Sequence, residues 1–122
     1  MLSDIFIRIS FDGKERVCAP FGTFFGCEYG KTPARLDTAL LTCDISGNSA
    51  FFSNRFPMPY FENVKIILEN RGSSDISIAE AAVRLNFSEV YEKGKTGYFT
   101  SSPYYFKTAN TSGANSVIAD IR

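Results

Sequence analysis

Residues 5–13 read IFIRISFDG and set the architecture expected of the rest of the chain. Apolar side chains occupy every second position from Ile5 to Phe11, so they share one face of an extended strand, with Arg8 and Ser10 on the other. The Asp-Gly pair that follows is a signal for a tight hairpin turn. Lys14–Ala19 is therefore predicted to return as the second strand of an antiparallel hairpin with one buried face.

Similar short segments recur along the chain between turn signals. They are residues 38–45, 50–56, 64–69, 76–90, 97–107 and 116–121. Segment 76–90 also has good helix propensity in its middle, but its alternating apolar residues and the turn before it favour a strand. The Gly- and Phe-rich residues 20–30 predict an irregular loop with buried aromatic rings. About eight short strands indicate an all-β fold, an antiparallel jelly roll or β-sandwich.

Composition excludes several classes of function. The 13 Lys and Arg residues balance 13 Asp and Glu residues, which argues against a nucleic-acid binder. The sequence contains no His, so Ser-His-Asp triads and zinc sites that use imidazole are excluded. Neither a phosphate-binding loop nor a metal-loop spacing occurs. We therefore expect no cofactor and no metal.

The cysteines and the N-terminus bear on location. Cys18, Cys27 and Cys43 are an odd set without CxxC spacing, which favours reduced thiols over a disulfide framework. The first residues lack a signal-peptide pattern, and no apolar run reaches the ~20 residues that cross a bilayer. These features predict a cytoplasmic protein that does not associate with a membrane.

Strand-like sequence begins near Ile5 and runs to Ile121, whereas the ends of a domain are more often polar. We therefore expect residues 1–122 to be a single domain that is a fragment of a larger protein, or a subunit that a partner completes. One domain is also what this length accommodates.

The most unusual stretch is NRFPMPYF, residues 54–61, which sets Phe, Met and Tyr around two prolines. Prolines stiffen a loop, and Met adapts to irregular surfaces. One interpretation is a packed corner between two strands; the other is the rigid rim of a binding site or of a subunit interface. In the second interpretation, sugar contacts are predicted for Asn54, Arg55, Phe56 and Tyr60, and rim or interface roles for Phe24, Phe25 and Met58.

Paired carboxylates are the remaining catalytic option. Glycosidases place two carboxyl groups ~5–9.5 Å apart, one as the acid and the other as nucleophile or base. Sequence alone pairs no two of the candidates, and a solvated surface role is favoured for each. We assign no catalytic residue. The candidates are Asp12, Glu28, Asp37, Asp44, Glu62 and Glu69.

Several segments, taken in order, resemble glycoside hydrolase family 172. They are IRISFDG (7–13), APFGTFFG (19–26), and FPMPY (56–60) followed by IILENRG (66–72), with a similar tail over residues 97–121. The resemblance implies two linked jelly rolls, assembly into trimers and cleavage of furanoside linkages. This chain resembles the first jelly roll, half of such a protein, without the later half in which the family's catalytic glutamates lie. It also departs from the family at Thr23, often Asp, and at Phe56, often Trp.

The expected function is that of a truncated or split member of this family. Such a domain would supply scaffold, and part of a furanoside site, to a homotrimer or to a second jelly-roll chain, and would be inactive alone. The alternatives are a structural trimer-forming jelly roll and a stand-alone carbohydrate-binding module. In the module, sugars would stack on Tyr60, Tyr98, Tyr104 and Tyr105.

Overall fold

The computed structural model describes residues 2–27 and 34–101 and shows an all-β chain, as predicted. A single turn of 3-10 helix comes first, over Leu2–Asp4. The elements that follow are β1 (Ile5–Phe11), β2 (Lys14–Pro20), the one-turn helix α1 (Phe21–Phe24), β3 (Ala34–Asp37), β4 (Leu41–Ser46), β5 (Ser49–Asn54) and β6 (Val64–Asn70). The six strands form two antiparallel sheets in the orders β2-β1-β6 and β3-β4-β5. These six do not confirm the finer prediction, a jelly roll or sandwich of about eight strands.

The hairpin predicted from residues 5–19 is confirmed. Asp12 and Gly13 join β1 to β2 with φ angles of 50° and 82°, both in the left-handed region. A two-residue turn with positive φ at both positions matches the right-handed twist of the paired strands, and Gly accepts this conformation without a steric penalty. The antiparallel pairing runs from Phe11 opposite Lys14 to Phe6 opposite Pro20.

The predicted apolar face of β1 forms the larger core. Ile5, Ile7, Ile9 and Phe11 are each at most 5% exposed, and Val17 on β2 is completely buried beside them. Aromatic side chains from α1 and from later loops cover this face, as the Phe-rich sequence of residues 20–30 suggested. The residues packed on it are Phe21, Phe24, Phe25, Met58, Tyr60, Val64, Tyr98 and Phe99.

A smaller core lies against the second sheet and contains a disulfide bond between Cys27 and Cys43. The prediction that all three thiols are reduced is therefore wrong for this pair, whereas Cys18 is a free thiol. The two half-cystines are 16 positions apart in the sequence. Their Cα atoms are 6.5 Å apart, within the range for a disulfide bond. The fold brings them together because the segment after α1 packs on β4.

The predicted strand over residues 38–45 begins three residues later, as β4, because residues 38–40 form a turn; β3 lies before the predicted range. The Thr38 hydroxyl accepts a hydrogen bond from the Leu41 N–H and donates one to the Leu41 carbonyl, each 2.9 Å long. This side chain closes a local turn that competes with an extended ladder. β3 consequently ends at Asp37, and β4 begins at Leu41.

The predicted strand Ile76–Val90 is wrong for this structure. Its residues are exposed and form neither a strand nor a helix. Alternation makes a segment suitable for a strand, but a strand exists only where a second strand accepts its backbone hydrogen bonds. Of the predicted strand 97–107, Ser101 alone pairs within the described residues, in an isolated bridge to Val17. Residues 102–107 and the predicted strand 116–121 lie outside the described residues.

We expect reduction of the Cys27–Cys43 bond to destabilise the domain. The bond spans 16 residues, and closing a loop of about 15 residues contributes roughly 3 kcal/mol in the chain-entropy model. Dithiothreitol should therefore lower the Tm of the native protein and of the matched control Cys18→Ser. The double variant Cys27→Ala, Cys43→Ala should show no such shift. An equal Tm with and without reductant, once thiol titration shows complete reduction, would contradict this expectation.

Candidate functional site at the Asp12 turn and the proline-rich loop

The carboxylate of Asp12 joins three separate segments of the chain. It accepts hydrogen bonds from the backbone N–H groups of Phe61 (3.1 Å), Glu62 (2.6 Å) and Asn63 (3.0 Å). It also accepts one from the Tyr98 hydroxyl, at 2.7 Å. The Asp12 N–H in turn donates to the Asn63 carbonyl, at 2.8 Å. The turn of the first hairpin therefore holds the end of the proline-rich loop and the segment around Tyr98.

The surroundings of the Asp12 carboxylate favour its ionised form. Desolvation opposes its ionisation, but the hydrogen bonds from Tyr98 and from the N–H groups of Glu62, Asn63 and Phe61 outweigh it and lower the pKa of Asp12 to about 2. The same contact raises the pKa of the Tyr98 phenol. An ionised carboxylate that accepts four hydrogen bonds is a structural anchor rather than a proton donor. The expectation of a solvated surface carboxylate at position 12 is therefore corrected.

Other side chains surround the ring of Tyr98. The Phe11 ring stacks with it at 6.3 Å between centroids, and the Phe61 ring meets it edge-on at 6.2 Å. The Arg16 guanidinium carbon lies 4.8 Å from the ring centroid, within cation–π range. These contacts make Tyr98 part of the support beneath the loop. Of the other tyrosines considered for sugar stacking, Tyr104 and Tyr105 lie outside the described residues.

Asn54 organises the entry to the proline-rich loop. Its side-chain amide donates to the Phe24 carbonyl at 3.3 Å, and its side-chain oxygen accepts from the Phe56 N–H at 2.9 Å. The second contact is an Asx turn, in which a side chain replaces a backbone acceptor. Both ends of the Asn54 amide are therefore used to fix the loop against α1 and to orient Phe56.

The other predicted sugar contacts differ in their accessibility. Arg55 is exposed, and its guanidinium reaches the Ala39 carbonyl at 3.4 Å. Phe56 is 38% exposed and lies 5.9 Å from the Phe99 ring. Tyr60 is half-buried against the larger core. The structure thus brings an exposed cation and an exposed ring together at consecutive positions of one loop.

The predicted rim residues lie closer to the core than this pair. Phe24 is only 8% exposed and belongs to the larger core, and its ring meets that of Phe25 edge-on at 5.1 Å. Phe25 and Met58 are half-buried and pack against the same core. Met58 belongs to the proline-rich loop itself, and the Phe24 carbonyl contacts that loop by accepting a hydrogen bond from Asn54. Their assignment to a rim or an interface stays a prediction.

The carboxylates of Glu62 and Glu69 pair with cations. Glu62 accepts from the Lys93 ammonium at 2.7 Å, which raises the pKa of that lysine. Glu69 accepts two hydrogen bonds from Arg71, at 2.9 and 3.1 Å, and lies 3.6 Å from Arg8. The Arg71 contact is the main cause of a lowered pKa at Glu69. A glycosidase acid needs a raised pKa, which is the opposite of the shift at Glu69.

The remaining candidates do not gather into a site within the described chain. Asp37 and Asp44 are exposed on β3 and β4, and Glu28 lies outside the described residues. Across residues 2–27 and 34–101, no group of three or more Cys, Asp or Glu side chains could hold a metal ion. No helix in that part of the chain is long and apolar enough to span a membrane.

Asp12 itself lies in IRISFDG, one of the segments on which the family resemblance rests. A family model described as GH172 domain-like matches residues 1–83, more than half of the chain. The chain belongs to the GH172 domain-like family. The match spans both sheets and the proline-rich loop, so Asp12, its backbone donors at residues 61–63 and the Arg55–Phe56 pair lie inside the GH172-like region, whereas Tyr98 lies beyond it. No curated protein and no solved structure matches the chain.

Sequence reasoning included Asp12 among the candidate carboxylates but missed its role as an anchor. An Asp-Gly pair is common in hairpin turns, and its conformation alone explains the choice of residues. The additional role depends on N–H groups about 50 positions further along the chain, which no local pattern reveals.

We expect Asp12→Asn to lower the Tm by several degrees at neutral pH, because an amide is a weaker acceptor for the four donors. The native pKa of Asp12 lies below the unfolded value, so its stabilisation is present above pH ~4 and is lost as the pH falls towards 2. In thermal melts recorded between pH 2 and 7, the Tm of the native protein should therefore fall more steeply with falling pH than the Tm of Asp12→Asn.

Two matched variants complete this test. Tyr98→Phe removes one of the four donors and should cause a smaller loss of Tm. Asp75→Asn removes an exposed carboxylate and should leave the melts unchanged. Equal Tm values for Asp12→Asn and Asp75→Asn would show that the anchor contributes nothing measurable.

Proposed function

We propose that this GH172-like domain is a scaffold for a furanoside-processing assembly and does not hydrolyse glycosides alone. It would supply part of a sugar-binding surface to a homotrimer or to a second jelly-roll chain. The observation that supports this most directly is the GH172 domain-like match over the residues that build the proline-rich loop. In this proposal the six described strands are part of one jelly roll, and residues 1–122 are half of a double jelly-roll arrangement.

The proposed sugar surface consists of Arg55 and Phe56. The apolar face of a furanose would pack on the exposed Phe56 ring, and the Arg55 guanidinium would donate hydrogen bonds to its hydroxyl groups. Asn54 and Tyr60 would support this surface without forming its exposed part. Asn54 holds the loop backbone through its two hydrogen bonds, and Tyr60 packs against the larger core. Two prolines and the Asp12 anchor keep the loop in one conformation, which lowers the entropic cost of binding.

The isolated domain is expected to release no sugar from aryl arabinofuranoside or fructofuranoside substrates. The carboxylates of Asp12, Glu62 and Glu69 are each engaged by donors or cations, so none is free to act as an acid. The measurement is release of the aryl group or of reducing sugar over a long incubation. Turnover that disappears when a single carboxylate is changed to its amide would overturn the proposal of an inactive scaffold.

We expect Phe56→Ala to weaken furanoside binding at least several-fold, because the stacking ring is lost. Phe51→Ala is the matched control, since Phe51 is also an exposed phenylalanine but lies on β5. Titration of arabinofuranosyl and fructofuranosyl oligosaccharides, followed by calorimetry or ligand-observed NMR, measures the difference. Equal effects of the two substitutions would place the sugar elsewhere. Binding by a monomer would favour the stand-alone carbohydrate-binding module.

Cytoplasmic location is a further part of the proposal, and the Cys27–Cys43 bond bears on it. Disulfide bonds are rare in reducing compartments. Alkylation of free thiols during cell lysis, followed by mass spectrometry, distinguishes the two states of the pair. A bond already present in cells would contradict a cytoplasmic location.

A further inference from the structure

Within the part of the chain that the structure describes, the sheet β2-β1-β6 has an apolar edge at β6 that no other strand covers. Ile9 and Ile7 on β1 are 3% and 5% exposed, whereas their partners across the ladder, Ile66 and Leu68 on β6, are 42% and 37% exposed. Among residues 2–27 and 34–101, no strand pairs with the outer side of β6. An open edge with an apolar face is a template for another strand.

A segment suited to such an edge lies a few residues further on. In Ile76–Val90, the side chains of Val83, Leu85 and Phe87 are at least 60% exposed. They alternate with polar residues, so they would share one face of a strand. Within the described residues, the backbone of positions 76–89 forms no hydrogen bond with other backbone groups. The segment thus has the apolar face and the unpaired backbone that a strand beside β6 would need.

We propose that residues 79–88 of one copy pair antiparallel with β6 of a second copy of this chain. This inference rests on the proposed function, in which the chain is part of an oligomer. It identifies the surface through which the copies would associate. Each copy carries both the donor segment and the acceptor edge, so exchange between identical chains satisfies both. The open edge of the first sheet, rather than the Phe24–Phe25–Met58 region, then forms the contact between copies.

The register of this pairing follows from the side chains. It places three apolar pairs opposite one another: Val64 with Phe87, Ile66 with Leu85, and Leu68 with Val83. On the other face, Glu80 then lies opposite Arg71. Opposite charges on facing positions of a ladder are favourable.

Neighbouring registers are worse. A shift of one residue would turn the apolar face of the donor to solvent. A shift of two residues in one direction sets Glu80 opposite Glu69, and in the other direction it sets Glu89 opposite Val64 on the apolar face. Like charges on facing positions, or a carboxylate on a buried face, are unfavourable.

A second copy also suits this segment better than a short return within one chain. The backbone beyond β6 continues along β1, since the Arg71 N–H donates to the Asp4 carbonyl at 2.8 Å, and Asn70 then closes a turn onto Ser74. The shortest in-phase return from that turn sets Ala79 and Ala81 opposite Leu68 and Ile66. The largest apolar side chains, Leu85 and Phe87, would then extend past the start of β6 and remain exposed.

Light scattering on a size-exclusion column gives the first test. The native chain should have the mass of two or more copies, and Leu85→Glu should have the mass of one. Phe51→Glu is the matched control at an equally exposed position on β5 and should keep the native mass. Circular dichroism checks that each variant is folded. A native oligomer that survives Leu85→Glu would overturn strand exchange but leave the proposed oligomer standing, whereas a native monomer would overturn both.

Disulfide trapping between different chains gives the second test. One chain carries Ile66→Cys and the other carries Leu85→Cys, both in a Cys18→Ser background, and the two are refolded together and oxidised. A crosslinked heterodimer on a non-reducing gel is expected, and it should be lost when Ile67→Cys replaces Ile66→Cys, because Ile67 is on the opposite face of β6. Each chain oxidised alone controls for pairing of like thiols. Equal yields from the two pairs, or no heterodimer, would contradict the register.

Discussion

The Asp12 carboxylate is the contact on which the arrangement of the described chain depends. A tight turn with two positive φ angles presents this side chain outside the first hairpin, where N–H groups of residues 61–63 and the Tyr98 hydroxyl converge on it. Without an acceptor there, several donors would lose their partners in a part-buried region. The proline-rich loop is therefore held by electrostatics at its end and by the Asn54 Asx turn at its beginning.

This anchor also explains which parts of the loop are accessible. Residues 58–61 are half-buried, with Met58 and Tyr60 packed against the larger core, whereas the Arg55–Phe56 pair stays at the surface. The surface assigned to sugar is consequently small and rigid, and the charged groups beside it are neutralised in local pairs. The edge of β6, which no other described strand covers, lies on the same sheet as the anchor, so the proposed sugar surface and the proposed contact between copies share one framework.

Sequence patterns predicted the elements whose strand partners are adjacent in the chain or whose apolar side chains alternate strictly. The β1–β2 hairpin and β6 appear within one residue of their predicted ends, because alternation and the Asp-Gly turn act locally. Prediction failed where a side chain intervened, as the Thr38 hydroxyl does between β3 and β4. It also failed for residues 76–90, which alternate as well as β6 does but have no strand beside them in the described chain.

By itself, the sequence determined the all-β class, the buried face of β1, the aromatic cover and the family, since these follow from alternation, turn residues and motif order. Tertiary structure alone decided that Cys27 bonds Cys43, that Asp12 is an ionised anchor, and that no strand of the described residues pairs with the outer side of β6. Each of these depends on the distance between groups far apart along the chain. Local patterns report which conformation a segment prefers, whereas hydrogen bonds, disulfides and strand pairing require a partner whose position only the packed chain defines.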